Sequence, residues 1–210
     1  MTGQQKIECS IIFIDLSGFT QLMYQASYRD EIVENVLDAM QRMFSSAAAA
    51  ALESDSVRII NTTGDGFIAI ATGPTPSRTA VAYVRAIHLQ FDRLVKSIIH
   101  SLPFRMNITM RGALHHGFVH RFEVDGIGGS PDTVYLGDDL NLLIRVVNSQ
   151  VARTHTFAIT RTFYRRLTLQ DDKLLRPADE VILDRNAYPE PVEVYTLPET
   201  ISEYIPKKRR

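Results

Sequence analysis

The hydrophobic residues of this chain change period in a fixed order, and that order leaves few folds open. Ile11-Ile12-Phe13-Ile14 is a short apolar run rich in β-branched residues, the pattern of a buried strand. From about Tyr28 the period changes. Ile32, Val36 and Met40 recur every four residues beside Val33, Leu37 and Phe44, and the pattern runs into the alanine-rich stretch from Ala47 to Ala51. That is one face of an amphipathic helix. Val57 to Ile60 and Phe67 to Ala71 then read as two strands, and the turn Thr63-Gly64-Asp65-Gly66 between them is a hairpin signal. Gly73-Pro74-Thr75-Pro76 is a loop with Ser77 as a helix cap. Ala80, Val84, Ile87, Phe91, Leu94 and Ile98 mark a second amphipathic helix, ending before Pro103. Met106 to Leu114 and Gly117 to Val124 read as further strands. The order strand, helix, two strands, helix, strand predicts an α+β fold. It is a split β-α-β core, with helices packed on one face of an antiparallel sheet.

The rest of the chain continues this scheme. Gly126-Ile127-Gly128-Gly129-Ser130-Pro131 reads as a flexible loop, and a third helix is expected from about Asp139 to Val151. Phe157 to Thr160, Val181 to Leu183 and Val192 to Leu197 complete the strands. A length of 210 residues suits one domain, expected over residues 1–200. Residues 201–210 form a basic tail closing on Lys207-Lys208-Arg209-Arg210, read as solvated. Formal net charge is -1, so nothing global argues for binding nucleic acid or an anionic membrane. The lone Cys9 cannot support a disulfide framework and reads as a buried thiol in a reducing compartment. The first residues lack the apolar core of a signal peptide, and no run approaches the roughly 20 apolar residues that span a bilayer. A soluble, cytoplasmic protein is expected.

Two acidic turns carry the candidate chemistry. Asp15 ends the first strand, and Asp65 sits at the tip of the hairpin. In a split β-α-β sheet those positions lie on neighbouring central strands. Carboxylates held close there repel unless a cation lies between them. Magnesium and manganese take oxygen ligands and keep positions open for phosphates, and two such ions can activate an attacking hydroxyl. The segment Leu16-Ser17-Gly18-Phe19-Thr20 leads toward the first helix, where backbone N–H groups can cradle a triphosphate. Taken singly, Asp15 reads equally well as a helix cap and Asp65 as a turn former.

Further motifs accompany the pair. Phe13-Ile14-Asp15-Leu16-Ser17-Gly18-Phe19-Thr20 resembles the first signature of the class III adenylate and guanylate cyclases. Asn61-Thr62-Thr63-Gly64-Asp65-Gly66 is similar to the second, a Gly-Asp on a β-hairpin. Tyr135-Leu136-Gly137-Asp138-Asp139-Leu140-Asn141-Leu142-Leu143-Ile144-Arg145 resembles the third, and Arg111-Gly112-Ala113-Leu114-His115-His116-Gly117 a strand of the family that ends in glycine. Each motif is weak alone, but together, in order and on the expected elements, they are specific. The resemblance implies the ferredoxin-like core of that catalytic domain. It also implies two divalent ions, Mn2+ or Mg2+, held by Asp15, Asp65 and the backbone carbonyl of Leu16. Ser17, Gly18, Phe19, Thr20 and Gly64 would contact the substrate. The ribose 3′-hydroxyl would attack the α-phosphorus and release pyrophosphate. Asn141 would orient the ribose and Arg145 would stabilise the transition-state phosphate, and the two lie one helical turn apart. In the family the aspartates come from one subunit and the asparagine and arginine from the other, so a homodimer with two shared sites is implied.

The base-reading positions depart from the purine cyclases. Adenylate cyclases usually carry a lysine where this chain has Asn61, and an aspartate or threonine where it has Val134. Valine has no group to accept from an adenine amino group. The glutamate and cysteine of guanylate cyclases are absent too. This combination resembles the stand-alone bacterial pyrimidine cyclases of antiphage Pycsar defence, whose cyclic UMP or cyclic CMP activates a separate effector protein. The small size, without sensor or membrane domain, agrees. An Asn61 amide can read either pyrimidine, and overall resemblance favours UTP over CTP. A lysine that often precedes the family's last strand is missing from Tyr188-Pro189-Glu190-Pro191-Val192. The alternatives are a cytidylate cyclase, an adenylate cyclase with an atypical base pocket, and an inactive nucleotide-binding or dimerising module. The intact set Asp15, Asp65, Asn141 and Arg145 argues against the last. Gly64-Asp65-Gly66-Phe67 does not supply the hairpin of a diguanylate cyclase. Adjacent strand residues face opposite sides, so His115 and His116 are read as structural. His88, His100, His120 and His155 show no ligand spacing.

Overall fold

The computed structural model describes residues 4–101, 108–125, 131–149, 157–167, 176–181 and 190–196. In chain order these form β1 (Gln5–Ser17), α1 (Phe19–Ala26), α2 (Asp30–Ser54), β2 (Val57–Thr62), β3 (Phe67–Ala71), α3 (Pro76–Ser101) and β4 (Thr109–Asp125). There follow β5 (Pro131–Leu136), α4 (Asp138–Val147), β6 (Phe157–Thr160), α5 (Arg161–Tyr164), β7 (Arg176–Val181) and β8 (Val192–Thr196). The strands make one sheet in the order β2-β3-β1-β4-β6-β8-β7, with β5 pairing to β4. The split β-α-β core expected from the sequence is present, and β1 lies between β3 and β4, antiparallel to both.

Alternation along the central strands divides the core. Ile12, Ile14 and Leu16 of β1 face α2 and α3 and join Val36, Met43, Val84 and Ile87 in one cluster. Cys9, Ile11 and Phe13 face the other way and join Ile68, Ile70, Leu140, Leu143 and Val146 in a second. So α2 and α3 cover one face of the sheet, and α4 covers part of the other. The expectation of helices on one face only is corrected here. The stripe Leu140, Leu143, Val146 and Val147 of α4 is buried, and it has nowhere else to go. The sheet also carries one parallel pair, β4 with β6, because α4 makes the crossover between them.

Several boundaries differ from those expected: α1 (Phe19–Ala26) precedes the helix expected from about Tyr28, and β7 covers Arg176–Val181 in place of the expected Val181 to Leu183. Strand β1 begins at Gln5, ahead of its apolar run, because polar Gln5, Lys6 and Glu8 still pair with β4. The two strands expected around Gly117 are one, since Gly117 pairs in register with Cys9. Strand β5 follows directly on the expected loop and has no counterpart in the sequence pattern, since its Asp132 and Thr133 give no apolar alternation. The hairpin and the third helix lie where expected, with α4 over Asp138–Val147. Leu183, Val151, Leu197 and the tail 201–210 lie outside the described residues. Among the described residues no helix is long and apolar enough to cross a membrane. Cys9 is fully buried, and burial pushes its thiol up to about 12, the setting of an inert core cysteine.

Candidate active site

The β2–β3 hairpin is shaped by two glycines. Gly64 has φ 82°, a left-handed conformation that other residues adopt at a cost. Gly66 lies directly on β1, and a Cβ there would overlap the carbonyl oxygen of Ile14. The turn closes with Thr63 N–H donating to the Gly66 carbonyl at 2.9 Å. Together these bring Asp65 onto the end of β1, beside Asp15.

Both carboxylates line a cleft of about 480 Å³ with Leu16, Ser17, Gly18, Thr20, Thr63, Arg111 and Asn148. Burial first, then the negative charge of Asp15, holds Asp65 above its ordinary value. Asp15 is 9% exposed and sits opposite Arg111 in the β1–β4 register. Arg111 donates to one carboxylate oxygen of Asp15 from Nε at 2.8 Å and from Nη2 at 2.6 Å. Among the described residues, two carboxylates and one guanidinium are the charged groups that line the cleft, which leaves it with surplus negative charge. No group of three or more His, Cys, Asp or Glu side chains suited to a metal occurs among the described residues. Metals bound here would rest on two carboxylates, a backbone carbonyl and the phosphates of a substrate, the donor set that magnesium accepts.

The other expected residues lie elsewhere in the chain. Phe19 packs on the α2–α3 core instead of lining the cleft. Gly64 is exposed at the turn tip. Asn141 and Arg145 stand on the exposed side of α4 and do not line the cleft, although Asn148 at the end of that helix does. Asn61 pairs with Ile68 and so shares the face of Phe13, Ile68 and α4. Val134 pairs with Phe122, and its neighbour Tyr135 with Arg121, so Val134 and Tyr135 point to opposite faces. Tyr135 packs on the α4-side cluster, and its hydroxyl accepts a hydrogen bond from Arg58 at 3.4 Å. No sequence pattern gives a role to Arg111, Asn148, Arg58 or Tyr135. Arg111 and Tyr135 each stand in a family-like motif, but neither motif gives them a role.

The two histidines do face opposite sides. His115 Nε2 donates to Asp139 at 2.9 Å on the α4 side. His116 bonds Ser10 at 3.2 Å and Glu8 at 3.1 Å on the other. Both are buried and neither meets the cleft.

Comparison with solved structures finds the same fold in the adenylyl cyclase CyaB from P. aeruginosa. The TM-score is 0.74 at 16% identity, covering 94% of this chain and 97% of that one. The guanylyl cyclase Cya2 gives 0.70 at 16% identity, covering 94% of each chain. The guanylate cyclase domain of RhGC from Catenaria anguillulae, solved in complex with GTP, gives 0.66 at 17% identity, covering 92% and 98%. A search of curated proteins finds no match. The family profile described as Adenylate and Guanylate cyclase catalytic domain matches residues 1–198. The chain therefore belongs to the adenylate and guanylate cyclase catalytic domain family.

Proposed function

We propose that the chain is an active cyclase that converts a pyrimidine nucleoside triphosphate, with UTP favoured over CTP, to its 3′,5′-cyclic monophosphate and pyrophosphate. The observation that carries the catalytic part is the convergence of Asp15 and Asp65 in one cleft, against Asn141 and Arg145 on α4 outside it. A second copy would bring the two halves together, as the family resemblance implies, and the working form in this reading is a homodimer.

In this reading Asp15, Asp65 and the Leu16 carbonyl would hold two magnesium or manganese ions. When bound, these supply the charge that activates the ribose 3′-hydroxyl and offsets the triphosphate. The backbone from Ser17 to Thr20 receives the phosphates at the start of α1. Arg111 holds one oxygen of Asp15 through two donors, which fixes that carboxylate in the cleft wall. From the second copy, Asn141 orients the ribose, and Arg145 places a fixed positive fork on the charge that develops at the α-phosphate.

Pyrimidine choice rests on Asn61, whose short amide replaces a long ammonium, and on the lack of a polar side chain at Val134. Val134 faces away from Asn61, so its part is to offer no acceptor rather than to touch the base. A cyclic pyrimidine nucleotide made by this chain is suited to act as a messenger on a separate effector in antiphage defence.

The test is direct. Purified protein is incubated with each of the four ribonucleoside triphosphates and manganese, and the cyclic products are identified. Cyclic UMP is expected, and Asp65→Ala abolishes it while the protein stays folded. Cyclic AMP as the main product would overturn the pyrimidine reading, and an active Asp65→Ala would overturn the metal assignment.

A further inference from the structure

On the α4 face of the sheet lies a partly buried polar cluster that the chemistry above does not use. Asp139, in the first turn of α4, is held by both oxygens of its carboxylate. One accepts from His115 Nε2 at 2.9 Å, and the other from the backbone N–H of Phe118 at 2.6 Å. Both donors belong to β4. Nδ1 of His115 lies within hydrogen-bond distance of the Thr160 hydroxyl at 2.8 Å and the Thr162 hydroxyl at 3.1 Å, and these two hydroxyls lie 3.1 Å apart. Those residues belong to β6 and α5. Gly117 lies directly beneath the carboxylate, and a Cβ there would overlap it. His115 and the carboxylate therefore link residues of four elements, and His115 is only 2% exposed.

The apolar stripe of α4 cannot do what this cluster does. Leu140, Leu143, Val146 and Val147 decide which side of the helix meets the sheet. Such contacts are non-directional, and they permit the helix to slide along its axis. The carboxylate bonds are directional, and they fix the first turn of α4 against β4. Asn141 follows Asp139 by two residues, and Arg145 follows Asn141 by one turn of the helix. Their positions therefore depend on where Asp139 is pinned. Shifts of about 1 Å in a group that meets a reacting phosphate cost on the order of 100-fold in rate.

We propose that His115 and Asp139 are positioning residues that set the axial register of α4, and through it the placement of Asn141 and Arg145. The proposal rests on the reading in which those two side chains meet the substrate. Two isosteric substitutions separate it from a general packing role. Gln at position 115 keeps a donor near the place of Nε2, and so keeps the bond to Asp139. Asn at 115 keeps a group near the place of Nδ1, and so keeps only the bond to the threonines.

The experiment compares His115→Gln and His115→Asn for steady-state kinetics, thermal midpoint, and hydrogen exchange across α4. For His115→Asn, kcat falls about tenfold or more with KM within about threefold, the signature of a group misplaced in the transition state. His115→Gln keeps kcat within about threefold of wild type, and its α4 amides stay protected while those of His115→Asn exchange faster. Asp139→Asn, which loses one acceptor oxygen, shows the same kcat-selective loss and serves if His115→Asn does not fold. Equal kcat in the two His115 variants, or loss that follows thermal midpoint alone, would overturn the positioning role. Absence of cyclic product from the wild-type protein would instead overturn the cyclase reading, and hydrogen exchange would still decide whether the couple fixes α4.

Discussion

Burial pushes the Asp139 carboxyl upward, but the hydrogen bonds from His115 and from the Phe118 N–H outweigh it and leave it below its ordinary value of 3.8. A carboxyl depressed in the folded state adds stability above its unfolded value. That stability is lost as pH falls through the folded value. Asp139→Asn is therefore less stable than wild type at neutral pH, and the gap narrows below about pH 4. Thermal midpoints of both proteins between about pH 7 and pH 2 check this, and a constant gap would show that ionised Asp139 adds nothing. Residues of this kind are also the ones a sequence hides. Asp15 and Asp65 are legible because each ends or turns a local element. Arg111 and Asp139 are not, since their partners Asp15 and His115 are set by register and helix docking, which no local pattern encodes.

At the scale of elements, the hairpin between β2 and β3 decides whether the two acidic residues meet. Its two glycines serve different ends. Gly64 needs only its backbone conformation, since a Cβ there would meet nothing within 4 Å. Gly64→Ala should cost about 1 kcal/mol, the penalty of a left-handed residue with a Cβ. Gly66 needs space, because the obstacle is backbone of β1 and cannot swing aside. Gly66→Ala should cost about 1–3 kcal/mol and displace Asp65 from Asp15. Denaturation midpoints and cyclase rates of the pair test the distinction: Gly64→Ala keeps most activity, whereas Gly66→Ala loses it out of proportion to its stability. If both lose activity in step with stability, the close approach of hairpin to β1 is not what the site requires. Elements with a clear period, such as α2, α3 and β3, are readable from sequence to within a few residues. Strand β5 and the join of β4 across Gly117 are not, because pairing with β4 and β1 supplies what their own residues do not.

At the scale of the whole molecule, one chain gathers Asp15, Asp65, Arg111 and Asn148 around a cleft and leaves Asn141 and Arg145 outside it. Sequence motifs single out Asn141 and Arg145, and the placement of α4 leaves both outside the cleft that Asp15 and Asp65 line. If two copies unite the halves, each half-site can be inactivated separately. Asp65→Ala removes the acidic half and Arg145→Ala the basic half, and each variant alone forms dimers with two dead sites. Mixed and allowed to exchange, equal amounts give heterodimers for half of the dimers. Each heterodimer has one site in which both halves are defective and one in which both are intact. Activity should therefore return to about a quarter of wild type for random exchange between two-fold symmetric partners. It should fall again when the mixture is diluted below the dimer dissociation constant, because mass action then separates the halves. Recovery near zero, with heterodimers shown to form, would mean that each chain completes its own site and that α4 must move toward the cleft of the same subunit.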